Sequence, residues 1–388
     1  MKEILVIIVL ISGLIKGLLL FWGIPTFIDF TLISFLMLLI YSIINYKQFS
    51  FYLSIRKTFV FLSIIIFYLW MIFSLVYSSS NGYSYTKTFL FLTNLIPIGF
   101  LLFIKEFDHR KFIRFFVLIV FILNLVCLFY DLIYITGKLG NLSDNYYKYL
   151  SGNYLVLGEL TGLLTLVLIC YHDKPVFKNK YFDRVSIFIG ICFLLLLSAR
   201  GPLIFFFFSY LFYLIINSKR IIISNLKISK VFLFLIPVLL VIIILYSSQL
   251  ISLIGWSFSR LTLLISDLFR DDNVSHSTNV RLIYYSKSLG IILSNIQSFL
   301  FGKGIGSYML EISGFDGRGY PHNIILEIWF EMGLIGLFFF LVFFCFSFLF
   351  KISKESKTSW IVFLFIILNL LKSNSLVDIR AHLFFFIF

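Results

Sequence analysis

The sequence predicts an all-α polytopic integral membrane protein with about 11–12 transmembrane helices and one large polar loop. Three observations carry this. The chain is 61% hydrophobic and only 13% charged, where soluble domains carry roughly a quarter charged residues. Apolar runs near the ~20 residues that cross a bilayer recur along its length. Lys and Arg gather in short clusters between those runs, which is the footprint of membrane topology. The +14 balance belongs to these clusters rather than to a compact basic domain, so no nucleic-acid partner is expected.

Apolar windows predict helices near 4–22, 27–45, 58–77, 88–104 and 115–136, followed by 154–171, 185–199, 202–217 and 231–247. Two more are expected near 324–350 and 359–371. Backbone groups in lipid must be satisfied within the segment, so these are helices rather than open strands. The first run begins at Ile4 with no small-residue cleavage site after it and reads as a retained span. The last segment, 376–388, is too short to cross alone and either tilts, re-enters or stops partway. The organisation expected is about nine spans in 1–247, a large loop with surface helices in 248–322, and C-terminal spans in 323–388.

With the N-terminus inside, 19 cations fall in inner loops and 12 outside, half of the latter in the single long loop. Lys16 lies within the first span, and Lys16 and Glu159 stand out as intramembrane charges. The loop after residue 247 then faces the periplasm, or the exterior of a single-membrane bacterium. Loops on that side are normally poor in Lys and Arg. This one holds Arg260, Arg270, Arg281, Lys287, Lys303 and Arg318, so an anionic ligand is expected there.

The loop ends Gly-Tyr-Pro-His-Asn at 319–323, where an apolar helix begins. A helix N-terminus favours neutral imidazole over imidazolium, which suits His322 to general-base work. A cap or interfacial role is the alternative. The following helix, 27 residues over 324–350, is about 40 Å long against a hydrocarbon core of about 30 Å. Its first two turns are therefore expected above the membrane, with Glu327 and Glu331 on one face. There they either orient cations or a sugar hydroxyl, or form a solvated or Arg-paired face. Gly333 and Gly336 read as positions where a neighbouring helix approaches closely.

Arg200 sits in Ser198-Ala-Arg-Gly-Pro202, between two apolar helices. A charge at this boundary is costly unless it is used or snorkels, and both readings stay open. Arg281 opens a segment whose apolar spacing suits a helix lying on the membrane surface. It runs into Phe301-Gly-Lys-Gly-Ile-Gly-Ser307, which lacks Walker spacing but leaves open a turn whose N–H groups approach an anion. The four cysteines lie inside predicted spans without paired metal spacing and read as apolar core residues.

Pro321-His322-Asn323, nine residues, then Gly333-x-x-Gly336 resembles the signature of the O-antigen ligase and polymerase superfamily. So do the Ser-x-Arg-Gly junction at 198–201, the Arg281 helix and the Gly302-x-Gly304-x-Gly306 turn. The resemblance covers about 180–350. Two departures are Tyr284-Tyr285 where family members often carry Trp, and Asn295-Ile296 where Asn-Pro usually precedes the glycine turn. The resemblance implies a GT-C-like, metal-independent and inverting glycosyltransferase in the bacterial inner membrane, with no cofactor. Its donor and acceptor are undecaprenyl-pyrophosphate-linked glycans presented at the outer leaflet, and a polysaccharide chain-length regulator is a candidate partner. Arg200 and Arg281 then hold the pyrophosphate and His322 takes the acceptor proton. Asn323, Glu327, Glu331, Arg318 and Lys303 support them, and no metal is held. Near-390 length and Phe- and Ile-rich composition look like O-antigen polymerases, with the ligase that passes the glycan to lipid A core, or a related protein-glycosylating enzyme, as the alternative. A flippase would instead show charges deep in spans and related halves.

Overall fold

The computed structural model describes residues 1–21, 23, 29–50, 52–137, 154–170, 175–177, 179–197, 199–217, 276–352, 359–372 and 374–387. Fourteen α-helices are described, from α1 (Lys2–Phe21), α2 (Phe30–Ile44), α3 (Ile55–Ser74), α4 (Tyr83–Phe103) and α5 (His109–Gly137) to α6 (Tyr154–Cys170), α7 (Lys180–Leu196) and α8 (Arg200–Asn217). Loop helices α9 (His276–Ile292), α10 (Ile296–Phe301) and α11 (Tyr308–Ser313) follow. The chain then forms α12 (Ile324–Ile352), α13 (Ser359–Lys372) and α14 (Arg380–Ile387). No strand occurs among the described residues. The expected span at 231–247 and the first part of the large loop lie outside them.

The protein is an all-α polytopic membrane protein. Four described helices are long and apolar enough to cross a bilayer, at Lys2–Leu20, Ile55–Tyr77, Tyr83–Phe103 and Ile324–Phe348. Shorter apolar helices at Phe30–Ile44, Tyr154–Cys170, Gly201–Ile215 and Trp360–Lys372 match four further windows. Apolar side chains at helical spacing make the core. On α1, Val6, Leu10 and Leu14 form one buried row, the stripe that a helix presents to its neighbours. Small residues bring helices close: a Cβ on Gly158 would lie 2.7 Å from Ala199 Cβ, and one on Gly162 would lie 2.7 Å from the Phe365 ring.

Helix α12 lies at the centre, against α3 along much of its length and against α9, α10, α13 and α14. It is not the single straight helix expected. Gly333 interrupts it with φ 68° and ψ −174°, a backbone region essentially reserved for glycine. Of the terminal segment 376–388, residues 376–387 are described. Its helix α14 is buried, with Phe384 and Phe385 ringed by Phe112 and Phe116 of α5 at centroid distances of 5.0–6.1 Å. Lys16, placed within the first span by sequence, reaches Asp29 at 2.5 Å, where Asp29 caps α2.

Candidate active site

The break at Gly333 frees carbonyls that a continuous helix would use. The carbonyls of Phe330 and Glu331 accept from the N–H groups of Lys303 and Gly304 at 2.9 and 2.8 Å. The Met332 carbonyl accepts from Trp70 Nε1 of α3 at 3.0 Å. The glycine turn is thus a plug seated in a broken helix. Its other face meets the α3–α4 connection, where Ser78 Oγ donates to the Ile305 carbonyl at 2.7 Å and Ser79 N–H donates to the Lys303 carbonyl. Gly304 has φ 88°, and a Cβ there would lie 2.2 Å from Ser78 Cα. Only glycine fits this approach.

This geometry corrects one expectation. The turn's amides do not wait for an anionic ligand. Gly302 donates to Ser298, Lys303 and Gly304 to the α12 carbonyls, and Ile305 to Ser74 Oγ. Ser307 N–H donates to the Gly304 carbonyl at 3.3 Å. Five of the six N–H groups from 302 to 307 thus have a protein acceptor.

Glu327 and Glu331 follow one of the readings left open for them, the holding of a cation. They share a face of α12, but that face is buried and holds a lysine. Lys87 of α4 places Nζ 2.6 Å from Glu327 Oε1 and 2.7 Å from both Glu331 oxygens, with side-chain exposures of 0–1%. Glu327 also accepts from Ser375 Oγ and from Leu376 N–H, each at 3.0 Å. Among the described residues this face is neither solvated nor Arg-paired. Lys87, Glu327 and Glu331 are buried charges that face one another.

Residues 374–378, at the start of the short final segment, form a hub. Asn374 Nδ2 donates to Glu159 Oε2 at 3.2 Å, and Asn94 Nδ2 donates to the Leu376 and Val377 carbonyls. Asp378 accepts both Arg318 contacts, at 2.7 and 2.8 Å. Arg318, expected to support a substrate, is therefore joined to the hub by an exposed ion pair. Nearby, Asp316 accepts from Ser80 Oγ at 2.6 Å and from the N–H groups of Asn81 and Gly82. These hydrogen bonds hold the Asp316 carboxyl below its ordinary range. They dock the end of the loop onto the start of α4.

His322 stands above this scaffold. Asn323 is the cap of α12, accepting the Leu326 N–H at 3.1 Å through Oδ1, so the capping role falls to Asn323 and not to His322. Among the described residues, His322 is the one non-glycine residue with positive φ, at 60°. Such strain persists where the surroundings over-determine it, and it marks functional sites more often than chance. Its ring lies 4.5 Å from that of Tyr320, tilted by 55°. Burial, and then the positive charge of Arg281, push its pKa down to about 4. Burial and Arg281 both favour the neutral imidazole. Burial also raises Tyr320, to about 12.

Helix α9 brings Arg281 within electrostatic reach of His322. The helix leans on α12 and α11, with Tyr284 edge-on to Tyr308 at 6.3 Å and 88°. Leu282, Ile283, Leu289 and Leu293 of this segment remain exposed, as a helix at a lipid surface requires. Asn295, where the family's Asn-Pro is displaced, caps α10 by accepting the Ser298 N–H at 2.7 Å. Arg200 is the first residue of α8, and its side chain lies outside the described residues. The next residue, Gly201, abuts Lys372 of α13, two positions before the hub. Lys303 contributes its backbone to the glycine plug.

Fold and site define a polytopic α-helical membrane protein whose polar centre sits at the head of one broken helix. Residues 185–341 match the family model described as O-Antigen ligase. The matched stretch contains Arg200, Arg281, the glycine turn, His322 and the Gly333 break, and over these residues the chain is similar to the O-antigen ligase/polymerase superfamily. A comparison with curated proteins found no match.

Proposed function

We propose that this protein is a surface-polysaccharide polymerase. It transfers a growing undecaprenyl-pyrophosphate-linked glycan onto a lipid-linked repeat unit at the periplasmic face of the inner membrane. The observation that carries the reading is His322, neutral, strained in its backbone and within reach of the Arg281 charge. In the reaction, the acceptor hydroxyl oxygen attacks the anomeric carbon as the bond to the pyrophosphate oxygen breaks, with inversion. His322 takes the hydroxyl proton. Arg281 and Arg200 hold the leaving pyrophosphate, since guanidinium forks match phosphate oxygens. Stabilising that departing charge is the largest contribution.

A pKa of about 4 makes His322 a weak base in the empty site. Donor binding changes this. A pyrophosphate beside Arg281 masks one cause of the shift and adds negative charge, so the imidazole gains basicity when the substrate arrives.

The near-390 length and Phe- and Ile-rich composition support the polymerase. The description of the matched family supports a second reading, a ligase that passes the same glycan to lipid A core. The surface-glycan profile of a deletion strain, with lipid-linked intermediates extracted in parallel, separates them. Core carrying one repeat unit, with the ladder gone, is the polymerase outcome. Bare core with long chains accumulating on undecaprenyl pyrophosphate is the ligase outcome.

A further inference from the structure

We infer that Lys87 is a positioning residue for His322, acting through Glu327 and Glu331 to fix the head of α12. The inference rests on the transfer reading above and adds to it a residue outside the matched stretch.

Three features support it. The three ammonium contacts of Lys87 go to Glu327 Oε1 and to both oxygens of Glu331, at 2.6, 2.7 and 2.7 Å. The same two residues also join α12 to its other neighbours: the Glu327 carboxylate accepts from Ser375 and Leu376 of the hub, and the Glu331 carbonyl accepts from Gly304 of the glycine turn. Finally, the turn of α12 bearing both glutamates is cut off from the rest of that helix by Gly333. Helical continuity therefore does not fix its direction. Lys87 ties it to α4, the hub and the turn at one point. His322 lies five positions before Glu327 on a strained backbone, so its ring follows wherever that turn points.

The arrangement also explains a charge imbalance. One buried ammonium facing two buried carboxylates is tolerated because the hub donors Ser375 and Leu376 share the second negative charge. Removing Lys87 leaves both carboxylates buried without a cation, which a dry interior does not accept. The short helix must then move or admit water.

The test uses full-length protein in nanodiscs. Lys87→Met risks failing to fold, so the working variant is Lys87→Met with Glu331→Gln, which leaves Glu327 its Ser375 and Leu376 donors. Amide hydrogen exchange is read across 302–307 and 320–331, with α1 as the unaffected reference. Exchange at 320–326 should rise about tenfold or more, as local opening becomes easier. In the transfer assay, kcat should fall by about a hundredfold, the scale of an ångström-sized misplacement, while KM for the lipid-linked donor stays within about threefold. Unchanged exchange at 320–326 in the folded double variant overturns the role, and so does an unchanged kcat. Failure of the wild type to transfer glycan overturns the proposed function instead, and the exchange data still decide whether Lys87 holds His322.

Discussion

Lys87 Nζ lies 2.6 Å from Glu327 Oε1, across 240 residues of chain, and neither side chain is open to solvent. Buried pairs of this kind are costly to break because the surviving charge is left unpaired. Arg318 and Asp378 make an equally short contact, but their side chains are 59% and 33% exposed, where ion pairs contribute little. Lys87→Ala should destabilise the protein by about 3–5 kcal/mol, and Arg318→Ala by no more than about 1 kcal/mol. Thermal unfolding of both variants in one detergent checks the ranking. A larger loss for Arg318→Ala would mean that the hub, rather than the buried lysine, holds the loop in place.

The pH dependence of transfer should follow His322. In the free protein the base stays neutral down to about pH 4, so the acid limb of kcat/KM should fall there. The limb of kcat should lie at higher pH, because bound pyrophosphate raises the imidazole. An acid limb of kcat/KM at the ordinary histidine value, absent from the His322→Gln enzyme's residual profile, would show that His322 titrates unshifted.

Stability should respond to the same residue with a definite sign. Between its ordinary value of 6.5 and about 4, the unfolded His322 binds a proton that the folded site refuses. His322 therefore contributes stability above pH 6.5, and that contribution is lost as pH falls toward 4. Replacement by Gln should flatten this part of the stability-pH curve. An unchanged slope would assign it to other groups.

Gly333→Ala places a Cβ 2.1 Å from the Leu300 carbonyl oxygen at φ 68°. It should cost well over the ~1–2 kcal/mol of left-handed backbone strain alone and should abolish accumulation in the membrane. Gly290, within α9, meets nothing within 4 Å, and Gly290→Ala should stabilise the helix by about 0.5–1 kcal/mol. Comparable behaviour of the two variants would contradict the broken-helix account.

Arg200→Lys and Arg281→Lys should each lose most transfer, because Lys supplies a point charge in place of a bidentate fork. Chelator should leave turnover unchanged. Full activity of either Lys variant, or activity lost to chelator and restored by magnesium, would remove the arginine-only handling of the pyrophosphate.

Much of the fold was legible because lipid demands long apolar helices, and such runs declare themselves locally. The Pro321-His322-Asn323 element was legible for a similar reason, being short and contiguous. Lys87 was not. Its partners lie 240 and 244 positions away, and a lone lysine near the start of an apolar run looks like any loop-facing cation. Glu327 and Glu331 were correctly read as sharing a face, yet spacing does not say whether lipid, water or protein covers it. Gly333 read as a packing residue because a glycine inside an apolar run gives no local sign of a break. Its partners are the donors Lys303, Gly304 and Trp70, all far from Gly333 in sequence. The 374–378 hub escaped for the same reason, since its contacts reach Glu159, Glu327, Asn94 and Arg318 from three distant segments.

The most direct test of the central claim is reconstitution. Purified protein in nanodiscs is given undecaprenyl-pyrophosphate-linked repeat units, and glycan length is read by mass spectrometry. Wild-type protein should build a ladder of repeat units, and folded His322→Ala should build none. A ladder from His322→Ala at wild-type rate would contradict the assignment of His322 as the base.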